Sequence, residues 1–372
     1  MARFSVDYSL NARDPADAKD KAFEICVEQS VEFPFDLVTD PFIRSEVVGQ
    51  TESLRKLNSG RYIAHISFHD DTAGKQFTQL LNVIFGNTSI KPGIRVESIR
   101  PSAAILDLYK GPRFGAQGIR KITVVNRGPI LASALKPLGL GARELASLAY
   151  RLALGGIDLI KDDHGLADQR FAPFRERAAR CAEAVARANR QTGRTCAYVP
   201  NVTADSADVI ARARFAKANG AAGVMISAML TGFDAMRQVA NDPRVDLPVI
   251  FHPALAGSFT ASAQSGIAPG ALYGRLARLA GADASIFPNY GGRFSFSRED
   301  CSSIAENCAC RMGAVKKAFP MPGGGIGFQN VREIASLYGE DVILLIGGGL
   351  FRQGPDLAKS IRELRRLAAC FS

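Results

Sequence analysis

From Ile130 to the end of the chain, short apolar runs alternate with amphipathic stretches eight times. No other feature constrains the fold as strongly. The apolar runs are Ile130 to Pro137, Ile157 to Asp162, Ala197 to Val202, Ala222 to Met229, Val249 to Pro253, Ala284 to Pro288, Phe319 to Gly323 and Val342 to Ile346. The stretches with helical spacing are Glu144 to Leu154, Phe174 to Asn189, Ser206 to Ala218, Phe233 to Ala240, Gly270 to Leu279, Glu299 to Cys310, Val331 to Tyr338 and Leu357 to Leu367. A short apolar run reads as a buried strand, and the 3.6-residue period after it reads as a crossover helix. Eight such units predict a closed, parallel (β/α)8 TIM barrel.

The N-terminal part follows another rule. Tyr62, Ala64, Ile66 and Phe68 alternate with polar residues in the run Arg61 to His69, a period of two that predicts a half-buried strand. Phe4 to Leu10 and Ile94 to Ile99 are similar, and Pro15 to Glu28 and Lys75 to Phe85 read as helices between them. Pro15 suits the first helical position, and Asp14 before it suits the cap. This predicts an α+β domain with a small antiparallel sheet. The expected division is 1–122 for this domain and 123–372 for the barrel, with Gly111 to Asn126 as the linker. The length of 372 residues accommodates both.

The formal net charge is +10, which points to an anionic partner. No basic stretch is interleaved with aromatics, so a phosphorylated small molecule is expected rather than nucleic acid. Arg362, Arg365 and Arg366 read as a solvated helix face. The seven cysteines, Cys26, Cys181, Cys196, Cys301, Cys308, Cys310 and Cys370, are irregularly spaced and read as reduced cytoplasmic thiols. No leader and no membrane-spanning run is apparent.

In such barrels chemistry sits at the C-terminal strand ends. The first strand ends at Lys136-Pro137 and the second at Lys161-Asp162-Asp163-His164, the densest polar cluster on any strand end. The third ends at Asn201, the fifth at His252 and the sixth at Asn289, which runs on to Arg293. Lys161, Asp163 and His164 read as a metal site or an acid–base cluster; an ion pair closing a strand is the plainer alternative. For His252 the alternative is a hydrogen-bonded core histidine. His65 and His69 read as ordinary sheet residues. Gly323-Gly324-Gly325 and Gly347-Gly348-Gly349 end the last two strands. There backbone N–H groups can approach a phosphate closely.

These residues, in this order, resemble the RuBisCO superfamily. The most specific match is Gly155-Gly156-Ile157-Asp158-Leu159-Ile160-Lys161-Asp162-Asp163. The resemblance implies that Lys161 becomes a carbamate and holds Mg2+ with the acids that follow. It implies that Lys136 transfers protons, that His252 is the fifth-strand histidine, and that Gly324, Gly325, Gly347 and Gly348 bind phosphate. It further implies a ferredoxin-like N-terminal domain and a homodimer, in which Glu28 and Asn87 complete the partner's site.

Departures from the family pattern narrow the chemistry. A second lysine two places after Lys136 is missing from Lys136-Pro137-Leu138-Gly139. Pro253 replaces the arginine after the fifth-strand histidine, and the loop after the sixth strand offers Arg293 where a lysine should face carbon dioxide. His164 stands where the last metal ligand is normally Glu, which leaves other divalent metals open. Ribulose bisphosphate carboxylation is therefore not expected. An enolate-forming enzyme is, with a monophosphorylated keto sugar acid of the 3-oxo-isoapionate 4-phosphate type as the first substrate reading, by decarboxylation or C–C hydrolysis. Glu28-Gln29-Ser30-Val31-Glu32 and Asp162-Asp163-His164-Gly165 carry that resemblance. The second reading is a methionine-salvage enolase or isomerase acting on a methylthio-pentulose phosphate derivative, which His252-Pro253-Ala254 resembles. A non-catalytic sugar-phosphate-binding protein is the third.

Overall fold

The computed structural model describes residues 2–294, 296–354 and 356–369. In the N-terminal domain, β1 (Arg3–Leu10), β2 (Gln50–Lys56), β3 (Tyr62–His69) and β4 (Ile94–Arg100) pair antiparallel in the order β4-β1-β3-β2. Helix Pro15–Glu28 connects β1 to β2, and helix Phe77–Phe85 connects β3 to β4. That is the expected ferredoxin-like pattern. Asp14 accepts from the Asp17 N–H and Pro15 opens the first helix, as the sequence implied. β2 was not anticipated. Its side chains are almost all exposed, so no apolar alternation marks it.

The eight barrel strands are β5 (Ile130–Leu135), β6 (Leu159–Asp162), β7 (Ala197–Val199), β8 (Val224–Ile226), β9 (Val249–Phe251), β11 (Ala284–Pro288), β12 (Phe319–Gly323) and β13 (Ile343–Leu345). They are parallel, in the order β7-β6-β5-β13-β12-β11-β9-β8. A bridge between Asn201 and Met225 closes the ring between β7 and β8. The inward faces fill the barrel with Ile130, Leu159, Val199, Met225, Ile250, Ile286, Met321 and Ile343. β10 (Gly266–Ile267), a two-residue piece from the barrel half, pairs parallel with β4. The small sheet is therefore mixed, where an all-antiparallel sheet was expected. A continuous apolar core joins the two halves, and Phe77 lies 6.1 Å from Phe233, ring centre to ring centre.

The expected linker, Gly111 to Asn126, is instead largely a helix, Gly115–Thr123. Its Ile119 packs into the barrel interior from below. Asp283 holds the start of this helix: one carboxylate oxygen accepts from the Phe114 and Gly115 N–H groups and the other from the Val249 N–H. Burial raises the Asp283 carboxyl to about 6, against these hydrogen bonds. Gly115 has φ +66°, and a Cβ there would lie 2.8 Å from the Lys317 carbonyl. Nothing within residues 111–126 encodes this partner, since it is 168 residues away.

Among the described residues the cysteines are unpaired thiols, mostly buried; Cys370 lies outside them. No helix among them is long and apolar enough to cross a membrane.

Candidate active site

Parallel register builds the center of the site. Ala134 pairs with Lys161 and Leu135 with Asp162, so the next residues, Lys136 and Asp163, meet at the top. The Lys136 ammonium forms an ion pair with Asp163 Oδ2, in an orientation that leaves this buried oxygen without an aligned hydrogen bond. Asp163 Oδ1 accepts from the Gly165 N–H. Burial would raise the Asp163 carboxyl, but Lys136, the Gly165 N–H and Lys161 together hold it below the usual range.

Lys161 is only 3% exposed, and its ammonium donates to the Asp162 carbonyl at 2.8 Å. Burial pushes the amine down to about 8; Asp163 opposes this and Lys136 reinforces it. A fraction of Lys161 is therefore neutral near physiological pH, able to act as a base or to add carbon dioxide.

The two predicted histidines also meet here. His164 and His252 stack with ring centres 4.5 Å apart and planes inclined by 13°. Burial, then Lys161 and the neighboring histidine, hold His252 well below its ordinary value. Burial also lowers His164, against Asp163 and with help from Lys161, Lys136 and Arg293. Both rings are thus neutral at pH 7. His252 Nδ1 accepts from the Ala254 N–H, which places its own proton on Nε2. His164 Nδ1 lies 3.2 Å from Asp163 Oδ1, which favors a proton on Nδ1 and leaves the Nε2 lone pair free.

Arg293 is within electrostatic reach of His164 and rests on Phe294. At the end of the neighboring strand β12, Gly324 and Gly325 adopt φ +86° and +75°. A Cβ on Gly324, Gly347 or Gly348 would meet nothing within 4 Å, so these backbone segments face open space, as a phosphate cradle requires. Glu28 and Asn87 pair with each other, Asn87 Nδ2 donating to Glu28 Oε1 at 3.0 Å, on the N-terminal domain. Between them Gln29 is buried and holds the Asn82 and Val83 carbonyls and the Thr88 N–H.

Two residues have supporting roles that the sequence did not assign. Asp162 is fully buried and accepts from Arg177, from the Tyr198 hydroxyl and from the Asn201 N–H. Arg177 is fully buried too, and also donates to the Ala172 and Ala167 carbonyls. It staples the loop after β6 to the strand end. One signal was available: Arg177 stands between Phe174 and Cys181 on the apolar stripe of its helix, where a charge must find a buried partner. Asn201, expected as a polar site residue, donates to the His164 and Leu166 carbonyls and braces the same loop. Asn289 accepts from the Tyr338 hydroxyl and is likewise a brace.

Among the described residues, no three His, Cys, Asp or Glu side chains converge as a metal site. Asp163 and His164 supply two donors, and the third predicted ligand, Lys161, is an amine. A divalent cation would take Asp163, whose Oδ2 is ion-paired to Lys136, and the open His164 nitrogen as donors, with a third oxygen only if Lys161 were carbamylated.

A sequence profile for the ribulose bisphosphate carboxylase large chain, catalytic domain, matches residues 115–290. RuBisCO-like protein 1 of Rhodopseudomonas palustris is 38% identical over 357 residues, 96% of this chain and 95% of that protein. The chain belongs to the RuBisCO large-chain superfamily, as a RuBisCO-like protein. A crystal structure of a RuBisCO-like protein from Rhodopseudomonas palustris superposes with a TM-score of 0.90 at 37% identity, covering 100% of this chain and 99% of that one. The 5-methylthioribulose-1-phosphate isomerase of Rhodospirillum rubrum is 38% identical over 94% of this chain and 91% of its own length. A 2,3-diketo-5-methylthiopentyl-1-phosphate enolase of Bacillus pumilus is 30% identical over 94% and 88%. The last two relatives are named for isomerising or enolising a methylthio substrate.

Proposed function

We propose that this RuBisCO-like protein enolises a phosphorylated methylthio-pentulose derivative, as an isomerase or enolase. The observation that carries the reading is the buried Lys161 beside Asp163 and Lys136, an arrangement suited to moving a proton next to a ketone. The relatives favor the methylthio substrate over the sugar acid suggested by the short motifs around Glu28 and Asp163.

In this scheme Gly324, Gly325, Gly347 and Gly348 hold the single phosphate, and remote binding energy orients the ketone. Lys136 moves the proton at the carbon beside the ketone. Its ion pair with Asp163 holds the side chain at the strand tops, and it accepts the carbon's proton as the neutral amine, after the ammonium has given a proton to solvent. The His252 Nε2–H and Arg293 face the oxygen on which charge develops. A divalent cation, Mg2+ or a softer ion, held by Asp163, His164 and carbamylated Lys161, would neutralise that charge. The buried thiols suit a reducing, cytoplasmic setting.

The test is a substrate panel of 5-methylthioribulose 1-phosphate, its 2,3-diketo derivative and 3-oxo-isoapionate 4-phosphate. Turnover of either methylthio compound is expected. Turnover of the sugar acid alone would overturn the reading. In the same assay Lys136→Ala should lower kcat by about 10² or more while KM changes little, because the lysine acts on the proton rather than on the phosphate. Unchanged kcat would remove Lys136 from the mechanism.

The homodimer belongs to the same proposal. The Glu28–Asn87 pair lies on a domain whose Phe23, Phe33, Leu37 and Phe42 are exposed, an apolar surface that a second copy would cover. A site shared between subunits predicts complementation. Glu28→Ala and Lys161→Ala proteins should each be inactive, and refolding them together should restore roughly a quarter of wild-type activity, since half the dimers then hold one intact site. No recovery on mixing would place both residues in the same subunit's site or in none.

A further inference from the structure

The floor of the barrel, at the opposite end of the strands from Lys161, holds a cavity of about 590 Å³. Four arginines line it, Arg127, Arg194, Arg362 and Arg365. One carboxylate, Asp158, faces them. Both of its oxygens are already engaged: one accepts from Arg365 at 2.7 Å and the other from the Leu131 N–H at 2.8 Å. Arg127, Arg194 and Arg362 form no ion pair among the described residues. The lining therefore carries a net surplus of positive charge: Asp158 is its one carboxylate, already paired with Arg365 and within electrostatic reach of Arg194.

Two backbone features shape the wall. Gly156 has φ +93°, and the Arg194 guanidinium lies so close that a Cβ there would be 2.5 Å from its Nη1. Val124, also in the lining, holds φ +56° and ψ +30°. For a β-branched residue this conformation is an outlier that the surroundings must impose. Neither feature serves the cluster at the strand tops.

We propose that this floor cavity is a second anion site, separate from the catalytic mouth, for a small phosphate-bearing molecule. Guanidinium forks pair with phosphate oxygens in two-pronged geometry, and clustered arginines that outnumber their carboxylates suit that ligand. The volume falls in the range of small-molecule sites and exceeds what a free phosphate ion fills, which favors a phosphate ester. Arg362 and Arg365, read from sequence as a solvated helix face, acquire a role here.

Hydrogen exchange of the full-length protein with orthophosphate, ribose 5-phosphate and ATP tests the site. At least one probe is expected to slow exchange of the amides of residues 123–127 and 193–195. The Arg194→Ala/Arg362→Ala double variant should weaken that protection by about tenfold or more in probe concentration. Protection at residues 347–350, by the top loops, should be the same in both proteins. Slowing by the esters assigns the site to a phosphorylated metabolite, and slowing by orthophosphate alone assigns it to the free ion. No slowing at 123–127 with any probe, or equal slowing in the double variant, overturns the proposal.

Discussion

Lys161→Ala should abolish turnover, with kcat lowered by about 10³ or more and the fold retained. Lys161 is buried beside the Asp163–Lys136 ion pair, so its removal leaves that pair in place and takes away the group whose state burial has tuned. The fold survives because the lost amine makes one hydrogen bond, to the Asp162 carbonyl. Wild-type activity should also rise with pH through about 8. Burial lowers the amine to that value, so below it Lys161 is an ammonium, and above it the neutral amine needed as a base, or to add carbon dioxide, predominates. Steady-state rates between pH 6.5 and 9.5 check this. A profile flat across pH 8, or activity persisting in the alanine variant, would remove Lys161 from the chemistry.

Asp162→Ala should be the most destabilizing single change near the site. Asp162 and Arg177 are both fully buried, and removing one partner of such a pair strands the other charge, at a cost of about 3–5 kcal/mol. The Tyr198 hydroxyl and the Asn201 N–H lose their acceptor as well. Arg177 would no longer hold the loop that carries Asp163 and His164, so activity should fall together with the unfolding midpoint. Urea denaturation measures the first effect. A loss below about 1 kcal/mol would mean that the pair is not the brace described here.

The barrel was legible because parallel strands buried on both faces are continuous apolar runs. Lys161 stood out for the same reason, as a charge ending the run Leu159–Ile160. Long-range partnerships were not legible. Helix Gly115–Thr123 depends on Asp283, and the loop after β6 depends on Arg177 and Asn201; a charge on an apolar stripe marks Arg177 and a strand end marks Asn201, but no local pattern names their partners. β2 was hidden because its side chains face solvent, and β10 because two residues carry no period. Glu28 and Asn87, 59 residues apart, were found through family resemblance alone, as no spacing rule joins them. The relatives favor the second substrate reading over the first. Residues such as Asp162-Asp163-His164-Gly165 report the acid–base center and its brace, and say little about what contacts the far end of a substrate.

The claim that this chain enolises a methylthio-pentulose phosphate is tested most directly by proton NMR in D2O with 5-methylthioribulose 1-phosphate. The account predicts deuterium entering the carbon beside the ketone with wild-type protein and no exchange with Lys161→Ala. Absence of exchange with wild-type protein, with either divalent cation and bicarbonate present or neither, would contradict it.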